Sequence, residues 1–448
     1  MTYFFNTPED QRVMLSAIGV NSIDDLFRGI PESMRLARPL DLPAAMSELE
    51  LAQHMSRLAG QNVGLGNKVC FLGGGSYDHF VPAAVDALAS RGEFYTSYTP
   101  YQPEVAQGNL QAMFEYQSLI CQLTGLDVSN ASLYDGGSAT AEAVLLAMSV
   151  TKRPNKVVCS SSVHPEYRRI IETYFESIGG QLVTVEAPGG KTSPERLAEV
   201  VDQDTACVLL QSPNFFGVVE DVEAAAKVAH ASGALLALSF DPISLGLLKR
   251  PGDLGADVAV AEGQSLGTPL QYGGPYLGIM ACKEQFVRRL PGRIAGQTVD
   301  RRGRRCWVLT LQTREQHIRR EKATSNICTK QGLFALRAAI YLSLLGPKGL
   351  RETAELCLQK AQYLRRSLLA NPRFEAAYEG ATFKEFVIRD RQGKVDALLS
   401  RALDAGYLAG IPLGRWYPEL SDCFLITATE KRTRQEIDGL VSCLTSAN

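Results

Sequence analysis

Between Cys70 and Lys283 the chain alternates between two apolar periods. Short apolar runs, NKVVCSSSV at 155–163, QLVTVEA at 181–187, ACVLLQS at 206–212, LLALSF at 235–240 and DVAVA at 257–261, have the length and content of strands buried on both faces. Between them, EYRRIIETYFESIG, SPERLAEVVDQ and VEAAAKVAHASG repeat apolar positions at helical spacing. Strands that alternate with helices predict crossover units and a mainly parallel sheet covered by helices. Ligands on such sheets bind at the carboxyl ends of the strands.

The flanks follow other patterns. Thr7-Pro8-Glu9-Asp10 supplies an N-cap, a first-turn proline and acids ahead of VMLSAIG, and Gly19 closes that helix. A second helix is expected over Leu42–Leu58, with Met46, Leu49, Leu51, Met55 and Leu58 as its stripe. Residues 1–65 therefore read as a helical arm laid on a larger body. Residues 66–335 form a large α/β domain that ends in an irregular basic stretch, 288–330. A long helical pattern that begins near Gly332, GLFALRAAIYLSLLG and its continuation to Ala370, leads into 336–448, where strands FEAAYE, FKEFVIR and CFLITAT and helices VDALLSRALDAG and RQEIDGLVSCL follow. That is a smaller α+β domain.

Composition removes several classes of function. A formal charge of −2 with only short basic clusters leaves nothing to neutralise a run of phosphates, so nucleic acid is not an expected partner. The ten cysteines stand singly, with no CxxC pair and no histidine spaced to complete a zinc site, so no metal is expected and reduced, mostly buried thiols are. No apolar run reaches the roughly 18 residues needed to cross a bilayer, and the first residues lack a signal pattern. The expectation is a cytoplasmic protein with no membrane contact.

Five segments and two strand ends carry candidate chemistry. In LYDGGSATAEAVLLAM a strand end runs into Gly136, Gly137, Ser138 and Thr140 at a helix start, which suits a phosphate but also serves any strand-to-helix turn. PGGKTSPERL lacks the first glycine of a P-loop, since Val185 stands there, and reads as a turn capped by Ser193. FLGGGSYDHFVP and FYTSYTPYQPE place His79, Tyr77, Tyr95, Tyr98 and Tyr101 on loops that can line a pocket or an interface. TREQHIRREKATSNICT offers Arg314, Arg319 and Arg320 for bidentate contacts and His317 as a proton carrier, or else a solvated run paired with Glu315 and Glu321. Asp241 follows one apolar strand and Gln264 the next. An aspartate there can face a cationic ring nitrogen, and a lysine in the second position completes a pyridoxal phosphate site.

Taken together, TREQHIRREKATSNICT, GQSLGTPLQYGGPYLG, DPISLG, FLGGGSYDHFVP and TSYTPYQPE resemble the P-protein family of the glycine cleavage system, and within it the α chain of the two-chain form. The resemblance runs the whole length. It implies the fold type I architecture of pyridoxal phosphate enzymes and a heterotetramer in which the complex decarboxylates glycine and passes the aminomethyl group to the lipoyl arm of H-protein. In the catalytic half of the family a lysine ahead of the Gly-Gly-Pro loop carries the cofactor. Counting back from Gly273-Gly274-Pro275 places Gln264 at that position, and an amide has no amine to condense with an aldehyde.

The resemblance therefore implies that a β subunit holds the lysine and the pyridoxal phosphate, and that this chain holds neither. Gly136, Gly137, Ser138, Thr140 and Asp241 become vestiges, and the pocket around Gln264 is expected to be filled by side chains. Tyr98, Tyr101, Arg314, His317 and Arg319 are the residues expected to shape the interface and the partner's site. The competing reading is a self-sufficient pyridoxal phosphate enzyme that uses Lys249.

Overall fold

The structure, a computed structural model, describes residues 6–36 and 38–446. Two compact units divide the chain, Met1–Val63 and Gly64–Asn448. In the first, Thr7 and Asp10 form a reciprocal capping box on helix Pro8–Ile18, and Gly19 ends it with φ 83°. The second helix is Glu48–Ala59, shorter than the 42–58 expected. Its start is set by Ser47 and Glu50, which cap each other's backbone N–H groups, while Pro43 upstream has no N–H for a helix interior. No residue of either helix is buried.

The second unit is built on a seven-stranded sheet in the order Val128–Ser129, Gly278–Cys282, Val258–Glu262, Leu235–Phe240, Thr205–Ser212, Lys156–Ser160, Gln181–Val185. The last five run parallel, as the alternation of elements predicts. Gly278–Cys282, for which the sequence reading named no element, is a buried strand antiparallel to Val258–Glu262. No helix intervenes between the two, so the chain turns back on itself rather than crossing over. The alanine-rich helix Gly136–Thr151 is buried along most of its length, its small side chains fitting between the sheet and helix Pro165–Ile178.

Two further expectations are corrected, and one cluster of side chains was not foreseen. The stretch 288–330 contains an antiparallel hairpin, Ile294–Val299 with Arg305–Thr310. Only Ile294, Ala295 and Trp307 of it are buried, too few for a readable alternation. Helix Gly332–Leu369 is long and apolar enough to cross a membrane, although no such run was expected. It is broken at Gly346 (φ 59°, ψ −175°) ahead of Pro347, and Ala338, Tyr341, Ala354 and Leu364 pack it into the core. Finally, His79, Cys357 and Glu430 bring three donor atoms within 4.8 Å of one another, a cluster that separations of 278 and 73 residues hide from any spacing rule.

A four-stranded antiparallel sheet, Phe374–Ala376, Glu385–Asp390, Cys423–Thr427, Ile411–Pro412, completes the unit. One face packs on Leu364, Leu368, Leu398 and Leu440. On the other, Val387, Leu413 and Leu425 meet Phe215 and Phe216, which follow the strand Thr205–Ser212. Burying each such side chain contributes about 1.5–3 kcal/mol. That packing sets the start of Glu385–Asp390 beside the carboxyl ends of the parallel strands.

Glu142 is buried on helix Gly136–Thr151, and burial pushes its carboxyl up to about 7 despite a hydrogen bond with Ser325. A folded value above the unfolded one means that stability is full below about pH 4.5 and declines as pH rises through about 7, by about 3 kcal/mol in all. Glu142→Gln removes this titration. Its urea midpoint should match the wild type at pH 5 and exceed it at pH 8; equal midpoints at pH 8 would exclude the effect.

Candidate functional site

Asp241 and Gln264 lie where the sequence puts them, just past the strands Leu235–Phe240 and Val258–Glu262. Gln264 is 1% exposed. Its amide nitrogen donates to the carbonyls of Tyr77 (3.0 Å) and Thr268 (2.6 Å), and its amide oxygen accepts the N–H of Tyr77 (2.8 Å). The amide is fully used in joining two loops.

At the start of helix Gly136–Thr151, carboxylates already occupy two of the backbone donors a phosphate would need. Asp135 accepts the N–H of Ser138 at 2.7 Å, and Glu262 accepts that of Gly136 at 3.0 Å. The Thr140 hydroxyl turns inward to the carbonyl of Gly136, and the Ser138 hydroxyl donates to that of Asp135. Glu262 also accepts the N–H groups of Gln264 and Leu277, while burial raises its carboxyl to about 7. A phosphate dianion placed here meets acidic side chains in a desolvated setting.

Asp241 is occupied as well. Its Oδ1 accepts the N–H of Ile243 at 2.9 Å, and its Oδ2 is 2.7 Å from the ammonium of Lys384, a side chain 1% exposed. The same ammonium lies 3.5 Å from the Tyr77 ring centroid and 3.0 Å from His79 Nε2. Because an ammonium only donates, Nε2 accepts and the His79 proton sits on Nδ1, donated to Glu430 at 2.7 Å. Burial opposes ionisation of Glu430, yet His79 and the Phe80 N–H hold its carboxyl at about 2. Cys357 Sγ is 3.4 Å from the same carboxylate, and burial pushes its thiol well up. With the imidazole committed at both nitrogens and the thiol protonated, His79, Cys357 and Glu430 form a hydrogen-bonded cluster rather than a metal centre.

Tyr77 and Glu385 close the remaining side. The Tyr77 hydroxyl donates to Glu385 at 2.7 Å, and Glu385 also accepts from the Gly74 N–H and the Thr427 hydroxyl. His164 stacks on Tyr167 with centroids 4.5 Å apart and donates through Nε2 to the Gly74 carbonyl at 2.8 Å. The cavity left among Tyr77, His164, Asp241, Glu262 and Lys384 is about 30 Å³, room for a water molecule or two. The residues present do not fit pyridoxal phosphate: one end of the site is acidic, the ring-facing aspartate is already paired, and no amine stands at position 264.

Lys249, the alternative lysine, is exposed and held protonated by Glu223 at 2.8 Å. It does not line this cavity.

The other sequence-predicted residues form a separate surface. Tyr98 and Tyr101 are each 74% exposed, and the Tyr98 hydroxyl reaches Thr329 at 3.4 Å, so the tyrosine loop meets the end of the TREQHIRREKATSNICT segment. Arg314 does not face outward. It is half-buried and donates to the carbonyls of Leu290 and Gly292. His317 lies 3.7 Å from the buried Glu315, which also faces Arg293 at 3.8 Å, while Arg319 is exposed. Beside them, burial and the charge of Arg293 lower the Lys330 amine to about 8. Lys384, Glu385 and Glu262 were missed in the sequence. For the first two the available signal was the charged pair Lys384-Glu385 directly ahead of the apolar run Phe386-Val387-Ile388.

The sequence profile of the glycine cleavage system P-protein family matches residues 1–444. The probable glycine dehydrogenase (decarboxylating) subunit 1 of Desulforamulus reducens is 51% identical over 444 residues, 99% of each chain. That of Moorella thermoacetica is also 51% identical, with the same coverage. Among solved structures, a glycine decarboxylase P-protein of the glycine cleavage system, in inhibitor-bound form, superposes with a TM-score of 0.91 at 44% identity, covering 99% of both chains. A sphingosine-1-phosphate lyase of Burkholderia pseudomallei, 13% identical with a TM-score of 0.65 over 93% of each chain, shares the fold alone.

Proposed function

The chain belongs to the glycine cleavage system P-protein family, and from that premise we propose that it serves as the noncatalytic α subunit of a glycine decarboxylase whose reactive lysine and pyridoxal phosphate stand on the partner β subunit. Gln264 carries this reading: its amide is saturated by Tyr77 and Thr268 at the position where the lysine is expected. The amines elsewhere do not replace it. Lys249 is a surface ion pair, and the ammonium of Lys384 is bound to Asp241, the carboxylate a ring nitrogen would face.

In the assembled heterotetramer, glycine loses CO₂ and the aminomethyl group passes to the lipoyl arm of H-protein in the cytoplasm. Pyridoxal phosphate on the partner supplies the electron sink for that step. This chain's part is to dock the partner, exclude water and position loops. Tyr98 and Tyr101 supply exposed aromatic area for that purpose, and His317 and Arg319 supply polar contacts on the adjoining segment. Arg314 acts indirectly, by fixing the Leu290–Gly292 turn.

Co-expression with the β subunit tests the reading. Glycine-dependent bicarbonate exchange with H-protein is expected only when both chains are present, and borohydride reduction should fix the cofactor to the partner. A reduced cofactor label on this chain overturns the assignment. Tyr98→Phe, Tyr101→Phe and His317→Ala should lower exchange in the assembled complex; unchanged exchange removes these residues from the proposal.

A further inference from the structure

The closure of the site by Lys384 is more than loss of a binding pocket. A decayed cofactor site could have filled with apolar side chains, the cheaper way to remove a cavity. Here a lysine from the strand Glu385–Asp390 side of the molecule is buried to 1% exposure, with its charge placed on the carboxylate at the end of a parallel strand. Every group that faces the ammonium suits a cation: Asp241 at 2.7 Å, the Tyr77 ring face at 3.5 Å and the acceptor nitrogen of His79 at 3.0 Å, with Glu385 next along the strand and Glu430 behind His79. These partners come from four separate stretches of chain.

We propose that Lys384 is a built-in occupant of the former cofactor site, its ammonium standing on Asp241 where a protonated ring nitrogen would, so that the site works as a brace between the four-stranded and seven-stranded sheets. The inference rests on the reading that the partner holds the cofactor, while its test is read on this chain alone. It assigns to the site a ligand class, primary ammonium ions, with the resident lysine as the bound member.

Chemical rescue tests it. Lys384→Ala in the full chain removes the atoms of n-propylammonium and leaves the space they filled. Breaking one partner out of a buried pair should lower Tm by roughly 5–10 °C for a unit of this size. n-Propylammonium should then restore part of the loss saturably in Lys384→Ala and leave the wild type unmoved. Tetramethylammonium, which carries the charge but donates no hydrogen bond, should restore nothing. Equal shifts of wild type and variant by n-propylammonium, or none in either, overturn the proposal.

Should Lys384→Ala not fold, Lys384→Met, Asp241→Asn and the double variant decide the matter. Lys384→Met keeps the bulk and loses the charge, so it should be destabilised and Asp241→Asn should recover part of the loss. Additive effects of the two substitutions mean that the charges are not coupled, and the brace is then excluded.

Discussion

Gly217→Ala is expected to give little folded protein, with a loss of stability on the order of 4–5 kcal/mol. Gly217 has φ +82°, a region a side chain enters at a cost of about 1–2 kcal/mol. An added Cβ would also stand 2.1 Å from the carbonyl oxygen of Glu385 and 2.5 Å from its carbon. Both are backbone atoms of a sheet strand, so neither can swing aside. The turn itself is fixed, because Asn214 accepts the N–H groups of Phe216 and Val218 on its side chain, and Val219 donates to the Ala381 carbonyl. Gly303→Ala is the control. That residue has φ +72° with nothing within 4 Å of the built Cβ, and should cost only about 1 kcal/mol. Urea midpoints of the two variants check the contrast, and equal losses would mean that conformation rather than the close approach governs Gly217.

Arg373→Ala should cost about 3–5 kcal/mol at pH 7. The guanidinium grips Asp390 at both oxygens, 2.7 and 2.8 Å, and the Asp390 side chain is 0% exposed. Burial alone would raise that carboxyl, but Arg373 and the N–H groups of Gln392 and Lys394 hold it below the ordinary range. The sign follows. A folded value below the unfolded one contributes stability that is present above about pH 4 and lost as pH falls through the folded value. The difference in unfolding free energy between wild type and Arg373→Ala should therefore be large at pH 7 and shrink toward pH 3. A difference independent of pH would assign the loss to packing of the arginine stem. Arg373→Met with Asp390→Asn should recover much of the stability, since no charge is then left buried alone.

The two sites show different degrees of legibility. Asp241 and Gln264 could be placed from sequence because strand ends are marked by an apolar run meeting Pro or Gly, a local signal. The capping of Pro8–Ile18 by Thr7 and of Pro194–Val200 by Ser193 was legible for the same reason. The hairpin Ile294–Val299 with Arg305–Thr310 was not, since most of its residues stay partly exposed and its alternation is faint. Arg314 was read as an outward contact, yet its carbonyl partners, Leu290 and Gly292, were invisible as acceptors because every residue has a carbonyl.

By itself the sequence determined the parallel α/β body, the strand ends that carry the site and the absence of an amine at position 264, because each depends on local order along the chain. Only the tertiary structure decided what fills the site. Lys384 reaches Asp241 across 143 residues, as 384 less 241 gives, and His79 reaches Glu430 across 351. Burial of those charges and their pairing are set by the packing of one sheet on another, and no periodicity in the chain records that distance.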